Sequence, residues 1–350
     1  MDFNLIFSLL FVALLLLSYF IHRYFVVRSK TILIRKAKTN VVRWASQTKP
    51  VLGGVTFYIT FLVGILSLFF LINYKNLIEP ISLAVSIAAT IAFLMGLADD
   101  LLSTSPYFKF LMQFVIAILF IYFGLEIQFF HNKYLNYFLT VFWVVGIMNA
   151  FNMLDNMDGI TTSIALSILI VLALFLWINN NIYLVLPIII LPALLTFLIF
   201  NWHPAKMYMG DNGSQFLGSV LAGMGIFFFW QQEAFSFPVL SRPETVLIIA
   251  LVFLIPLVDT TTVTINRMLA GKSPFKGGKD HTTHFLVYLG FSERNAVLFL
   301  VSISLISNFF AMLFLFRLVN FTMAWKVATV IFVFFVFLFL YGNTRITKAK

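Results

Sequence analysis

The stretch FNLIFSLLFVALLLLSYFIH, residues 3–22, holds no Asp, Glu, Lys or Arg over twenty positions, and similar stretches recur to the end of the chain. A helix rises about 1.5 Å per residue, so roughly 20 apolar residues match the ~30 Å hydrocarbon layer of a bilayer. Windows of that length place spans at 3–22, 51–73, 81–98, 110–125, 134–150, 160–178, 182–200, 214–230, 245–265, 295–317 and 323–341. The expected fold class is all-α, a polytopic integral membrane protein of about eleven transmembrane helices that forms a single domain over residues 1–350. A water-soluble globule is excluded by 61% hydrophobic residues, 10% charged residues and a mean hydropathy of +1.01.

Residues 3–22 lack the basic start and A-x-A site of a cleaved signal peptide and are followed at once by Arg23, Arg28 and Lys30, so they read as a retained anchor. Lys and Arg are kept on the cytoplasmic side of membranes. Segment 23–50, with eight of them and no acid, is therefore expected inside, which puts the N-terminus outside. Alternation from there assigns 18 of the 23 basic residues to the inner face and brings the C-terminus into the cytoplasm. Trp177, Trp230 and Trp325 fall near outer helix ends, and Trp44 and Trp202 near inner ones, as interfacial anchors do; Trp143 sits mid-span and does not fit.

On this map seven of the eight aspartates gather at the inner face or close to it: Asp99, Asp100, Asp155, Asp158, Asp211, Asp259 and Asp280. Crowded carboxylates near lipid repel one another and lose hydration, so they call for cations. With no cysteine in the chain, a metal has only oxygen or imidazole ligands to use. The plainer reading is helix capping, which suits Asp158 before Gly159 and Asp211 before a helix starting near Gly213. Capping does not account for so many acids on one face.

Four motifs carry these acids. In GLADDLLSTSPYFKF, Asp99 and Asp100 point about 100° apart on a helix end, so one can face a ligand and the other a counter-ion, with Lys109 nearby as a partner or phosphate contact. In NAFNMLDNMDGI, Asn149, Asn152 and Asp155 recur every third residue and share one helical stripe, which faces protein or a cavity rather than lipid. Its DxxDG core invites comparison with CDP-alcohol phosphotransferases, but the x-x-A-R continuation and further aspartates of that motif are missing. In PAKMYMGDNGSQFLG, Gly210 and Gly213 permit tight turns beside Asp211, a following helix start offers N–H groups to an anion, and Tyr208 is able to stack on a base. In SPFKGGKDHTTH, basic residues and glycines precede His281 and His284, a composition suited to phosphate. Zinc would need a third ligand of usual spacing, which is missing. A nucleic-acid patch is not required by the net charge of +10, because the topology rule already accounts for segment 23–50.

Together, in this order, the motifs resemble the polyprenyl-phosphate N-acetylhexosamine-1-phosphate transferases (glycosyltransferase family 4), more the WecA and TagO type than the phospho-N-acetylmuramoyl-pentapeptide transferases. NAFNMLDNMDGI is similar to the family's NAxNLxDGxDGL, and PAKMYMGDNGSQFLG to PAKxFMGDxGSxxLG. The resemblance covers most of the chain. It implies transfer of a sugar 1-phosphate, with N-acetylglucosamine or a related N-acetylhexosamine as the sugar, from a UDP-sugar to undecaprenyl phosphate, with release of UMP. That reaction is the first membrane step of cell-envelope polysaccharide synthesis, at the bacterial inner membrane with the active site facing the cytoplasm.

The resemblance further implies magnesium, with manganese as a substitute, held by Asp211 as main ligand and Asn152 as helper. It implies Asp155, Asp158 and Gly159 near the uridine and Tyr208 on the uracil ring. Asn149, Arg267, Lys279, His281 and His284 are expected at the diphosphate or the sugar. Asp99, Asp100, Asp211 and Lys109 are the expected catalytic group, with the acid pair either deprotonating the lipid phosphate or orienting the metal or a lysine. The expected partners are the UDP-N-acetyl amino sugar, the polyprenyl phosphate and membrane lipid, with no nucleic acid and a homodimer left open.

Two positions depart from the family pattern. Thr283 stands where a middle histidine is usual, and Asn156 replaces the glycine of DGxDG. Asp259, inside the ninth span, has either a functional role or a packing role with Thr260, Thr261 and Thr262. A secondary transporter is the alternative from another class, and its coupling acids should lie near the midplane of broken helices in two repeated halves.

Overall fold

The computed structural model describes residues 3–28, 49–71, 80–231, 240–273 and 278–346. Much of the basic segment 23–50, with Trp44, and the start of SPFKGGKDHTTH lie outside the described residues. Thirteen α-helices and no strand occur among the described residues: α1 (Phe3–Arg28), α2 (Gly53–Leu71), α3 (Pro80–Leu102), α4 (Pro106–Tyr122), α5 (Lys133–Leu154), α6 (Ile160–Ile178), α7 (Val185–Asn201), α8 (Asp211–Trp230), α9 (Arg242–Val252), α10 (Leu254–Leu269), α11 (Thr282–Tyr288), α12 (Glu293–Leu315) and α13 (Met323–Ile346). Eight helices are long and apolar enough to cross a membrane, and α9 with α10 makes a ninth if that bent pair is one span; α2 and α4 are shorter apolar helices.

The ninth expected span is not straight. It bends by 81° between α9 and α10, around Phe253. Pro256 explains the position, because it has no N–H for the carbonyl of Val252 four residues back and its ring crowds that carbonyl. After the bend α10 buries Ile255, Val258 and Val263 and turns Thr260, Thr261 and Thr264 toward a cavity.

Helix α8 is the axis of the fold, with every residue from Asn212 to Phe229 buried. Small residues make this possible. Gly213 lies against Gly54 of α2, Gly218 against Met148 of α5 and Gly223 against Phe120 of α4 and Val85 of α3, while Gly96 of α3 meets the start of α8, so the backbones approach closely. A Cβ on Gly218 would stand 2.7 Å from the Cα of Met148 in α5, and one on Gly96 would stand 2.3 Å from the backbone oxygen of Asp211. Trp143, which does not fit the interfacial pattern, donates from Nε1 to the carbonyl of Ala222 at 3.0 Å and packs edge-on to Phe253. It ties α5 to α8 instead of anchoring at a surface.

Polar side chains inside the bundle pair across helices, as they must where water is excluded. Ser18 on α1 meets Thr196 on α7 at 2.7 Å, and Ser167 on α6 meets Ser304 and Asn308 on α12. Helix starts follow local chemistry: Ser105 accepts from the Phe108 N–H with Pro106 at the first turn of α4, and Asn132 and Ser292 cap α5 and α12.

The connections at one end of the bundle converge. Residues 50–54 pair with 208–209 through Tyr208 N to Pro50 O, Gly53 N to Tyr208 O and Gly54 N to Met209 O. The ends of α3, α5, α7 and α10 and the starts of α4, α6, α8 and α12 gather around this junction and frame the cavity described next.

Candidate active site

A cavity of about 1010 Å³ opens at this end. It is lined by twelve of the fourteen residues that the sequence marks: Asp99, Asp100, Lys109, Asn149, Asn152, Asp155, Asp158, Tyr208, Asp211, Arg267, His281 and His284. Gly159 and Lys279 are not among its walls. The N–H of Gly159 is held by Asn201 Oδ1 at 3.0 Å, and this glycine opens α6 at φ +79°. Lys279 is exposed, and its carbonyl accepts from the hydroxyl of Tyr288.

The centre is Lys109. Its Nζ lies 3.1 Å from Asp99 Oδ2 and 3.0 Å from Asp211 Oδ2, so one ammonium bridges α3 and α8 from α4. Thr104 donates to the other oxygen of Asp99 at 2.6 Å, which fixes the carboxylate plane. Two carboxylates against one ammonium leave an excess negative charge facing the cavity.

Asp100 does something different from its neighbour. Its Oδ2 accepts from the backbone N–H of Asn212 at 3.0 Å and from Asn212 Nδ2 at 2.6 Å. The residue before α8 is Gly210, at φ +81°, which has no side chain to cap with. Asp100 therefore caps α8 from another helix and satisfies one of its orphan N–H groups. The capping reading of Asp211 does not hold, because Asp211 is the first residue of α8 and turns its carboxylate to Lys109. Asp158 does not cap α6 either. It accepts from the Ala205 N–H at 2.9 Å and faces His203 Nδ1 at 3.2 Å, and so ties the turn after α5 to the turn after α7.

The amide stripe is real but partly committed. Asn149 donates to Gln113 Oε1 at 2.8 Å and to the Val145 carbonyl, and Gln113 donates onward to Gln215 at 3.1 Å. This chain of amides joins α5, α4 and α8 beneath the cavity. Asn152 donates from Nδ2 to Ser214 at 2.9 Å, which leaves its carbonyl oxygen as the end suited to a cation. Gln113 escapes sequence reading because it is a lone amide in an apolar run, whereas Gln215 stands inside PAKMYMGDNGSQFLG, where nothing local marks its partner 102 residues away.

The basic loop is organised by acids. Arg267, in the last turn of α10, clamps Asp280 through Nε and Nη2, both at 2.7 Å. Burial alone would raise the Asp280 carboxyl, but the Arg267 hydrogen bonds and charge hold it below the usual carboxylate range. His281 meets Asp259 at 3.0 Å, and the His281 N–H reaches His284 Nδ1 at 3.3 Å. Burial pushes His284 down to about 4, so it is neutral at pH 7. His281 and His284 thus have protein partners, and the described residues contain no group of three His, Asp or Glu arranged to hold a metal.

A divalent ion that takes one or two carboxylates, keeps waters and relies on substrate phosphates for its remaining ligands does fit what is present. At Lys109 the donors are oxygens of Asp99 and Asp211, and Asn152 lines the same cavity, with no thiolate and more carboxylates than ammonium at the bridge. These are hard ligands.

Residues 82–229, from α3 through α8, match the family model described as Glycosyl transferase family 4. Over 271 residues, 73% of this chain and 71% of the relative, the sequence is 31% identical to a Bacillus subtilis protein described as a probable undecaprenyl-phosphate N-acetylglucosaminyl 1-phosphate transferase. It is 30% identical over 267 residues to a phospho-N-acetylmuramoyl-pentapeptide-transferase of Lactobacillus johnsonii, covering 70% of this chain and 77% of the relative. A protein of the same description from Lactobacillus gasseri is 31% identical over 271 residues, again with 70% and 77% covered.

Proposed function

Because the chain belongs to glycosyl transferase family 4, we propose that it moves N-acetylglucosamine 1-phosphate, or a related N-acetylhexosamine 1-phosphate, from a UDP-sugar to undecaprenyl phosphate. An oxygen of the lipid phosphate bonds to the phosphorus that carries the sugar, and the bond from that phosphorus to UMP breaks with its electron pair leaving on UMP. The products are undecaprenyl diphosphate-sugar and UMP.

The observation that carries this reading is the Asp99–Lys109–Asp211 bridge at the wall of a cavity large enough for a nucleotide sugar. Both reactants are anionic, so the main obstacle is charge. Lys109 supplies a fixed cation, Asp99 and Thr104 hold it in place, and Asp211 with Asn152 would hold magnesium, which neutralises charge on the diphosphate when bound. Asp155 and Asp158 lie along the same wall and suit the uridine, with Tyr208 as its stacking partner. A phosphate monoester loses its second proton near pH ~6, so the attacking group is already a dianion at neutral pH and needs no strong base. That favours one in-line displacement over a covalent aspartyl-phosphate.

The orientation belongs to the same proposal: eleven spans with the cavity toward the cytoplasm of the bacterial inner membrane. Support comes from the basic segment 23–50, which leads directly into residues 50–54 at the cavity end. Transport is a poorer fit. Asp99, Asp100, Asp155 and Asp211 stand at helix ends and not at mid-span.

The pentapeptide-bearing donor is the second reading, favoured by the relatives that carry that description. One assay separates the two. Purified protein is given undecaprenyl phosphate, magnesium and a panel of UDP-sugars including the muramoyl-pentapeptide, and UMP is measured with Asp211→Asn as control. Release with UDP-N-acetylglucosamine and its loss in the control is the expected result. No release from any donor would remove the proposal.

A further inference from the structure

Asp259 has no part in the reading above, yet it is the most deeply buried acid of the cavity end, 1% exposed and six residues past the bend at Phe253. A carboxyl group in such a place is costly unless donors meet it. Three do. Oδ1 accepts from the Thr282 N–H at 2.8 Å and from the Thr282 hydroxyl at 2.6 Å, and Oδ2 faces His281 Nδ1 at 3.0 Å. Thr260, Thr261 and Thr262 make none of these contacts, so the packing alternative drawn from sequence is not what the residue does.

The consequence falls on His281. A carboxylate accepts only, so the imidazole nitrogen beside it carries a proton. Nε2, across the ring, makes no hydrogen bond among the described residues, and His281 lines the cavity. Asp259 and Arg267 face this region from α10, and Lys279, Asp280 and His284 from the segment of His281 itself. Across the cavity stand Asp155, Asp158 and Glu293.

We propose that Asp259 is a positioning residue that locks His281 with its proton on Nδ1, so that Nε2 is the nitrogen that takes a proton from solvent when an anionic diphosphate enters and returns it when product leaves. The imidazolium then stands between two anions, Asp259 behind it and phosphate in front, and each favours the charged ring. The only bond made is Nε2–H, its proton drawn from bulk water, and that bond is broken again on release. The identity of the anion rests on the transfer proposed above, whereas the tautomer does not.

Nitrogen-15 NMR of histidine-labelled protein in lipid nanodiscs reads this directly, because the chain has only five histidines and His281→Gln assigns the signal by its loss. Without ligand the His281 ring is expected to be protonated at Nδ1 and bare at Nε2, and adding UDP should bring a proton to Nε2. Asp259→Glu should keep this pattern. In Asp259→Asn the new amide can donate to Nδ1, so the proton should move to Nε2 and kcat should fall about 100-fold, with KM changed less. An Nε2-protonated ring in the unsubstituted protein, no change with UDP, or Asp259→Asn turnover within about twofold of normal would each overturn the proposal. If Asp259→Asn does not fold, the spectra of the unsubstituted protein and Asp259→Glu decide. The expected tautomer together with no turnover of any UDP-sugar would sink the transfer and leave the tautomer lock standing.

Discussion

Thr283 Oγ1 donates to Asn156 Oδ1 at 2.7 Å, so the two positions at which the chain departs from the motifs it resembles touch one another. Asn156 completes its bonding by donating from Nδ2 to the Met153 carbonyl at 2.9 Å. The contact clasps the turn that holds Asp155 and Asp158 to the helix that holds His284. Glycine at 156 could not make it. The two side chains are therefore expected to act as a unit, and a double-mutant cycle tests this. Asn156→Ala and Thr283→Ala should each lower kcat/KM for the UDP-sugar. The double variant should lose less than the product of the two, by a coupling of about 1 kcal/mol or roughly fivefold. Additive losses would mean that the clasp carries nothing.

Lys109 neutralises two carboxylates at once, and all three side chains are no more than 28% exposed. Lys109→Met should lower UMP release by at least about 100-fold and reduce stability by about 1–3 kcal/mol, because it leaves both acids uncompensated. Adding Asp99→Asn removes one of those charges. Thermal melting should recover in the double variant while turnover does not. Recovery of both would mean that the ammonium is structural only.

Gly96 is where α3 presses on the start of α8. A methyl group there would meet the Asp211 carbonyl at 2.3 Å and the Asn212 Cα at 2.5 Å, both backbone atoms that cannot swing aside. Gly96→Ala should push Asp211 away from Lys109, cost about 1–3 kcal/mol and depress kcat more than donor KM. A variant with normal kcat would show that the close approach is not needed for the chemistry.

His284 is neutral when folded and protonates only near about 4, while an exposed histidine does so near 6.5. The unfolded chain thus binds more protons between these values, so this contribution to stability is fully present above pH 6.5 and is lost as pH falls toward 4. Asp280, held below its ordinary range, adds a loss of the same sign at lower pH. Melting temperature should decline over the window from 6.5 to 4, and His284→Gln should flatten that decline. An unchanged profile in the variant would place the acid sensitivity elsewhere.

The donor set around Lys109 predicts how metal removal behaves. Chelation should abolish UMP release, magnesium should restore it and manganese should do so in part, while zinc, which favours nitrogen and sulfur, should not. Asn152→Ala, which removes the helper oxygen and leaves Asp211 in place, should raise the magnesium concentration needed for half-maximal rate. Full activity in chelator would exclude the metal.

The eleven apolar windows each overlap a helix or the bent pair, because length and hydropathy are local properties that a bilayer reads directly. The acids could likewise be grouped on one face by counting alternations. What sequence could not supply were contacts between positions far apart in the chain. Asp100 caps α8 from 112 residues away, and Lys109 meets Asp211 across 102. Asp259 finds Thr282 at the start of α11, 23 residues on, with no local signal that pairs them. The capping reading of Asp211 and Asp158 failed for the same reason: the local signal was sound, and a distant partner displaced it.

The bridge through Lys109 also bears on how the protein is made. Asp99 and Lys109 emerge from the ribosome about a hundred residues before Asp211, and this third corner leads α8, which must then pack among helices already in the lipid. A nascent chain halted short of that point holds an acid and a lysine and nothing to complete them. The bridge is thus closed only once α8 has packed between α3 and α5.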